Sequence, residues 1–419
     1  MQKWSSVKIG DLGKVLTGRT PPTKDVEYFG EKYPFITPTD MHSGKKVHST
    51  ERYLSEKGAN LLKNNYLPPK SICVSCIGWQ MGKTVMTAYP SFTNQQINTI
   101  IPKANVDPDF LYYALTPKRN ELLSLGASTG VRTPILNKSA FSALEIVLPP
   151  LPIQKKIASI LSAYDDLIEN NTRRIKILEE MAQMLYREWF VNFRFPNHEN
   201  VKMFESELGL IPEGWEVKPI GEVIETTGGG TPSTKIPEYW ENGDIFWYTP
   251  SDLTASKSMF ISSGDKAITP LGLQKSSARM FPAYSVMMTS RATIGVAAIN
   301  TKPACTNQGF ITCIPNEFVS AYQIYFWVAE NKDTIISFAS GATFKEISKT
   351  VFRQLPILIA DKTVRTQFVA TIDPICKHIA NLQFKNTNLR KTRDLLLPKL
   401  ISGEIDVENL NIETLEIAA

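Results

Sequence analysis

The chain has 419 residues, 42% of them apolar and 21% charged, with a formal net charge of +5. That length exceeds what one hydrophobic core usually serves and predicts two to four units. No run of about 18 or more apolar residues is present, which excludes a membrane-spanning helix, and the opening MQKWSSVKIGDL lacks the apolar core of a signal peptide.

Five cysteines (Cys73, Cys76, Cys305, Cys313, Cys376) are odd in number and scattered. This fits a reducing compartment and predicts a cytoplasmic protein. Charge is uneven. Residues 1–150 carry 18 Lys+Arg against 11 Asp+Glu, whereas residues 201–360 carry 13 against 15. The first region favours a polyanion and the second does not, so charge alone makes a weak case for nucleic acid.

In chain order, residues 1–150 read as a loop-rich α+β unit with short strand-like runs such as Ser71–Ile77 and Ile97–Ile101. An extended exit, Leu148 to Pro152, follows. A helix then runs from Ile153 to Phe190 without Pro or Gly. Its seam is Ile157, Leu161, Tyr164, Ile168, Asn171, Ile175, Leu178, Ala182, Leu185 and Trp189, in steps of four and three. Such a helix is about 57 Å long, and its stripe requires an equally long partner. Asn192 to Ile211 leads to Trp215 and a second α+β unit, with strand-like runs Tyr284–Thr289 and Gly309–Ile314 and an exit at Leu355–Ile359. The second long helix runs from about Lys362 to Leu397, with the seam Phe368, Ile372, Ile375, Ile379, Leu382, Asn386, Leu389, Arg393 and Leu396. Pro374 predicts a kink or break near Asp373, and Pro398 predicts the end of the helix. The tail, Lys399 to Ala419, is expected to return toward Trp4.

Internal repetition organises these elements. Trp4, Ile9-Gly10-Asp11 and Thr20-Pro21 recur 211 residues later as Trp215, Ile220-Gly221-Glu222 and Thr231-Pro232. Thr37-Pro38-Thr39-Asp40 matches Thr249-Pro250-Ser251-Asp252, and Thr93-Asn94-Gln95 matches Thr306-Asn307-Gln308. Gly126-Ala127 resembles Gly341-Ala342, and Phe141 matches Phe352. The expected fold is therefore α+β: two repeated globular units and two long antiparallel helices forming a coiled coil, pseudo-two-fold and circularly organised. The segments are 1–150, 151–198 (central helix), 199–361, and 362–419 (distal helix and tail). The seam asparagines would fix register. Helices packed on two separate cores are the plainer alternative.

The motifs that suggest catalysis have simpler readings. Gly78-Trp79-Gln80-Met81-Gly82-Lys83-Thr84 resembles a phosphate-binding loop but has three residues between its glycines where four are needed. A strand-like run follows it instead of a helix. Cys73-Val74-Ser75-Cys76 has CxxC spacing but lies in a strand-like run, and Cys305 with Cys313 has the wrong spacing for a second zinc pair. Core thiols fit better. The four histidines (His42, His48, His198, His378) form no ligand pattern, and glycines 228–230 shape a turn. No Asn-Pro-Pro-aromatic methylation motif or Gly-rich S-adenosylmethionine loop is present.

Polar loop side chains remain as candidate nucleic-acid contacts: Lys45, Lys46, Gln80, Lys83, Gln96, Arg132 and Asn137, then Lys235, Lys257, Arg291, Thr293, Lys345 and Glu346. Arg and Lys suit guanine edges and phosphates, and Asn and Gln suit adenine edges. Taken singly, each reads better as a solvated loop residue. The repeat sharpens the choice. Residues common to both units should hold the fold or face phosphate, while Cys76 to Gln80 against Arg291 to Thr293, and Gln96 against Gly309, are the better base readers.

The whole chain resembles the specificity (S) subunit of Type I restriction-modification systems. The resemblance rests on Trp4 to Asp11 and Trp215 to Glu222, on Thr-Asn-Gln, on the link Ile211-Pro212-Glu213-Gly214-Trp215, and on the closing Leu395-Leu396-Leu397-Pro398-Lys399-Leu400-Ile401-Ser402-Gly403-Glu404-Ile405. It implies two target recognition domains that each bind half of a bipartite, asymmetric double-stranded DNA site. The paired helices would serve as spacer and as the docking surface for two modification (adenine methyltransferase) subunits, through Ile157, Leu161, Ile168, Asn171, Leu178, Leu185, Ile372, Ile379, Asn386 and Leu396. It implies no catalytic residue and no cofactor on this chain. S-adenosylmethionine, ATP and Mg would belong to the modification and restriction subunits. Two other readings stand beside it: a coiled-coil scaffold with two protein-binding ends, and an enzyme using the Gly78–Thr84 loop.

Overall fold

The structure is a computed structural model, and it describes residues 4–42, 44–127, 133–341 and 345–410. The chain divides into two compact units. Unit 1 comprises residues 1–170 and 386–419, and unit 2 comprises residues 171–385. Among the described residues no helix is long and apolar enough to cross a membrane.

The core of unit 1 is a five-stranded sheet in the order Gly13–Thr17, Ile97–Pro102, Ile72–Ser75, Thr84–Thr87, Lys46–Val47. Four pairings are possible in it: three are antiparallel and the last is parallel. Unit 2 repeats that order with Glu225–Gly228, Phe310–Ile314, Val286–Thr289, Ala297–Asn300 and Phe260–Ile261. The central strands are buried on both faces, which is why Ile72-Cys73-Val74-Ser75 and Val286-Met287-Met288-Thr289 read as continuous apolar runs instead of alternating ones. In each unit a two-stranded pairing joins the entry to the exit: Ser5–Lys8 with Glu145–Leu148, and Glu216–Pro219 with Pro356–Ile359.

The shared motifs turn out to be structural ties. Asp40 Oδ2 accepts from the backbone N (2.8 Å) and Oγ1 (2.7 Å) of Thr37, while its Oδ1 accepts from Glu51 N at 2.8 Å. Asp252 does the same for Thr249 (2.6 Å to each) and for Asp265 N at 2.9 Å. Both are capping boxes that also pin a second loop. Thr20 Oγ1 donates to Gln95 Oε1 (2.6 Å), and Thr231 Oγ1 to Gln308 Oε1 (2.7 Å). The five cysteines are free and buried. Burial pushes the Cys73 thiol up to about 12 and Cys76 to about 11, values that keep both protonated and inert.

The long helices run Leu151–Phe190 and Lys362–Ser402. Each unit holds one half of each. In unit 1, Ile153, Ile157 and Leu161 share a core with Leu397, Leu400 and the sheet residues Ile72 and Val74. Asn386 Nδ2 donates to Ile168 O (3.3 Å), and Arg393 pairs with Asp165. As one helix ascends from 386 to 400 its partners descend from 168 to 157, so the halves are antiparallel. In unit 2, Phe368 packs on Phe190 (4.8 Å between ring centres, edge-to-face), Trp189 and Tyr186, inside the same core as Val286 and Met288. Each half-stripe is thus buried by its own globular unit and by the opposing helix together. The tail returns as expected: a Cβ on Gly403 would lie 3.0 Å from the Trp4 ring, and Lys156 Nζ donates to Glu408 O at 2.6 Å.

The prolines depart from expectation. The second helix continues through Pro374 without a break and passes Pro398 to Ser402. Both rings are exposed, as are Ala370 and Asp394, whose carbonyls lose their helical partners to the prolines. Water can satisfy those carbonyls, while buried Ile372, Cys376, Leu397 and Leu400 hold the backbone helical on either side. Pro152 lies in the first turn of its helix, not in an extended exit, because a first-turn N–H has no helical partner to lose. The seam residues Ile157, Leu161, Ile168, Ile372, Ile379 and Asn386 are buried, and Leu178, Leu185 and Leu396 are half-buried against the cores. Asn171 is also half-buried. These side chains hold the helices.

Residues 45–48 of unit 1 belong to helix docking as well. Lys45, with a side chain 7% exposed, pairs with Asp109 at 2.5 Å, donates to Ser162 Oγ at 2.7 Å, and lies 4.6 Å from the Tyr113 ring centre. His48 Nε2 lies 3.5 Å from Glu169. Lys45→Ala should lower stability by about 2 kcal/mol, less than for a fully buried pair because Asp109 is partly exposed. Phe368→Ala should cost about 3–5 kcal/mol. Urea unfolding of the full chain measures both, and an unchanged midpoint for either would contradict the packing described.

Candidate nucleic-acid interface

The segment 76–83 joins the strands Ile72–Ser75 and Thr84–Thr87. Its backbone is tied down nearly throughout. Gly78 N donates to Pro134 O (2.9 Å), Met81 N to Gly78 O (3.0 Å), Gly82 N to Ser75 O (2.8 Å) and Ser75 N to Lys83 O (2.9 Å). Ser75 Oγ donates to Gln80 O at 2.8 Å. The Met81–Gly78 bond closes a turn with Trp79 and Gln80 at its corners. Positive φ at Gly78 and Gly82 (+85° and +83°) shapes its two ends, and Met81 is fully buried beneath it. The result is a rigid tip that presents Trp79, 68% exposed, and Gln80 to solvent. Three of its amides are already donated to protein carbonyls, and a strand follows it. It therefore lacks the phosphate cradle of a nucleotide-binding loop.

In unit 2 the equivalent segment is 290–296. Gly295 N donates to Thr289 O (3.0 Å), Thr289 N to Val296 O (2.9 Å), and Ser290 N to Gly309 O (2.8 Å). The last bond is the counterpart of Cys76 N to Gln96 O, also 2.8 Å. The backbone bridge Arg291–Glu346 corresponds to Ile77–Ile135 in unit 1. Arg291 Nε is 2.7 Å from Glu346 Oε1, so its guanidinium is oriented but half exposed. Thr293 is exposed, and beside it a cleft of about 350 Å³ is lined by Ile294, Val296, Lys332 and Lys345. A scaffold of one design thus displays Trp79-Gln80 in one unit and Arg291-Ala292-Thr293 in the other.

The structure sorts the sequence candidates unevenly. Gln80, Arg291, Thr293 and Lys345 lie on or beside the two tips and are exposed or partly so. Lys83 is at the base of the first tip with its Nζ 2.7 Å from His42 Nδ1, a contact a neutral imidazole accepts. Burial, and then the charge of Arg119, draw the Lys83 ammonium below the usual lysine value. Other candidates are already engaged within the protein. Lys45 is paired with Asp109 as described. Lys46 lies in the edge strand opposite Met86, and with Lys45 it opposes the rise that burial imposes on the Asp166 carboxyl. Asn137 caps the helix Lys138–Ala143, its Oδ1 accepting from Ala140 N at 2.8 Å. Gln96 Oε1 accepts from Asn94 Nδ2 at 3.0 Å. Lys235 and Lys257 are exposed, and among the described residues nothing joins either to the Arg291 tip. Arg132 and Ala342 lie outside the described residues.

Sequence reasoning held Trp79 only within the span Cys76 to Gln80, without its exposure, and passed over two cations next to the tips, Arg119 and Lys332. The signal for the last two was present. Arg119-Asn-Glu-Leu-Leu-Ser and Lys332-Asp-Thr-Ile-Ile-Ser stand 213 residues apart, the offset that also relates the two Thr-Asn-Gln motifs.

A family model described as the Type I restriction modification DNA specificity domain matches residues 1–180 and again 212–389. The chain is similar to the MjaIX specificity subunit of Methanocaldococcus jannaschii, 31% identical over 416 residues that cover 97% of this chain and 94% of that one. It is also similar to the HindI specificity subunit of Haemophilus influenzae, 39% identical over 189 residues, 44% of this chain and 40% of that one. Among solved structures, the Type I restriction-modification S subunit from M. genitalium shares the fold, with a TM-score of 0.60 at 15% identity over 95% of this chain and 96% of that one. Two matches to the family model, one in each repeat, and a relative aligned along nearly its full length show that this chain belongs to the Type I restriction-modification DNA specificity family.

Proposed function

We propose that the chain is the non-catalytic subunit that gives a Type I restriction-modification complex its DNA sequence specificity, each unit reading one half of a bipartite, asymmetric duplex site. The observation that carries this reading is the pair of tips. Their backbones are held by matching hydrogen bonds while their displayed side chains differ. One scaffold with two sets of side chains is what reading two different half-sites requires. Gln80 offers an amide suited to adenine and Arg291 a fork suited to guanine. Lys83 and Lys345 suit phosphates. Base contacts from rigid tips lose little conformational entropy on binding.

In this reading the chain holds no cofactor. The methyltransferase subunits would bring S-adenosylmethionine and flip the target adenine, and the restriction subunits would bring ATP and Mg. Exposed apolar positions on the long helices, Leu167, Ile177, Met181 and Met184 on the first and Phe384 and Leu395 on the second, are available to such partners. The buried seam residues are not. Because both helices run unbroken from one unit into the other, they would also act as the spacer between half-sites. A coiled-coil scaffold would need none of the difference between the tips.

Two experiments test this. With its methyltransferase subunits co-expressed, methylome sequencing should reveal a bipartite adenine motif, and replacing residues 1–150 with those of another specificity subunit should change one half of that motif only. An unchanged motif would reject the assignment of unit 1. Inserting one heptad into both helices, after Asn170 and after Lys385, should change the number of bases between the half-sites and leave the bases themselves unaltered. Altered half-sites would reject the spacer role.

A further inference from the structure

We propose that Arg119 and Lys332 are equivalent phosphate anchors, one in each unit, that grip the DNA backbone beside the tips whatever bases the tips read. This rests on the DNA-reading function proposed above. It adds a pair of residues whose role is shared by the two units.

Both residues meet the same feature of their tip. A Cβ on Gly82 (φ +83°) would lie 2.8 Å from both Cα and Cγ of Arg119, and a Cβ on Gly295 (φ +82°) would lie 2.9 Å from Cγ of Lys332. Each tip therefore seats a left-handed glycine directly on the stem of a cation. Each cation opens a short helix, Arg119–Ala127 or Lys332–Ser337, that is pinned by a buried residue three positions on, Leu122 or Ile335. The placement of the charged heads is thus set by the core. Both residues are exposed, and among the described residues neither forms an ion pair. Arg119 makes one long hydrogen bond, from its Nε to Met81 O at 3.4 Å.

Each anchor also has a cationic neighbour, Lys83 beside Arg119 and Lys345 across the cleft from Lys332. Of the nearby carboxylates, Glu121 pairs with Lys118 and Glu346 with Arg291, while Asp333, which follows Lys332 in its helix, forms no ion pair among the described residues. Two like charges held together without a counter-ion are stabilised when an anion arrives between them. A phosphate accepts from both a guanidinium and an ammonium, so Arg in one unit and Lys in the other can do the same work. Phosphate contacts carry no base information, which explains why the cation persists in both repeats while the tip residues diverge.

The competing possibility is that the two stems merely cover the glycines. Arg119→Met and Lys332→Met keep an apolar stem and remove the charge, and Arg119→Lys keeps a charge. Binding of the full chain, assembled with its methyltransferase subunits, would be followed on a mixed-sequence duplex from low to high salt. Each Met variant should flatten the slope of log affinity against log salt by about 0.9, the double variant by about twice that, and Arg119→Lys should leave it near wild type. Site selection from a random duplex pool should return the wild-type motif for every variant. Wild-type slopes in folded Met variants would overturn the anchor role, and so would a changed motif, which would make these residues base readers. Loss of folding would make them structural. If the wild-type assembly selects no motif, the DNA-reading function itself fails.

Discussion

The structure depends on burying two apolar stripes of about forty residues each. A helix of that length outruns any single core, so each stripe is shared out. One half packs on the sheet-bearing core of unit 1 and the other half on that of unit 2, and in each unit the opposing helix covers what the globular part leaves bare. The polar seam positions are engaged: Asn386 donates to a carbonyl of the opposing helix, and Arg393 pairs with Asp165. Such positions cost stability compared with leucine, but they penalise any slip of register, because a displaced Asn or Arg would be buried without its partner.

Around those helices the duplication divides the work. Residues common to both repeats make the scaffold: the aspartates of the two capping boxes, the threonine-to-glutamine bonds, and Trp4 and Trp215 in their cores. The side chains displayed where the scaffold ends differ between the repeats, Trp79-Gln80 in one and Arg291–Thr293 in the other. A recognition surface built in this way can change its side chains without disturbing its backbone, since the turn is closed by main-chain bonds and anchored by a buried residue.

Much of the fold was legible in the sequence because it depends on periodic patterns. The four-three seams located both long helices to within a few residues, and the ordered repeat pointed to two α+β units. The seam ran correctly through Pro374, where local propensity pointed to a break, and the helix passed the end expected at Pro398, because tertiary burial overrode both prolines. The candidate site was less legible. Lys45, Lys46 and Asn137 looked like solvent-facing loop residues, yet two turn toward a long helix distant in sequence and one caps a short helix. A side chain's direction depends on which element folds over it, and one-dimensional spacing does not encode that.

The sequence by itself determined the duplication, the helical spans and the family, since all three are carried by residue identity and spacing along the chain. Only the tertiary structure decided which polar residues face outward. It directed Lys45 toward Asp109 and Ser162, raised Trp79 on a closed turn, and brought Arg119 and Lys332 against glycines far away in sequence. Those outcomes follow from long-range burial and hydrogen bonding, which exist only once the strands and helices have packed.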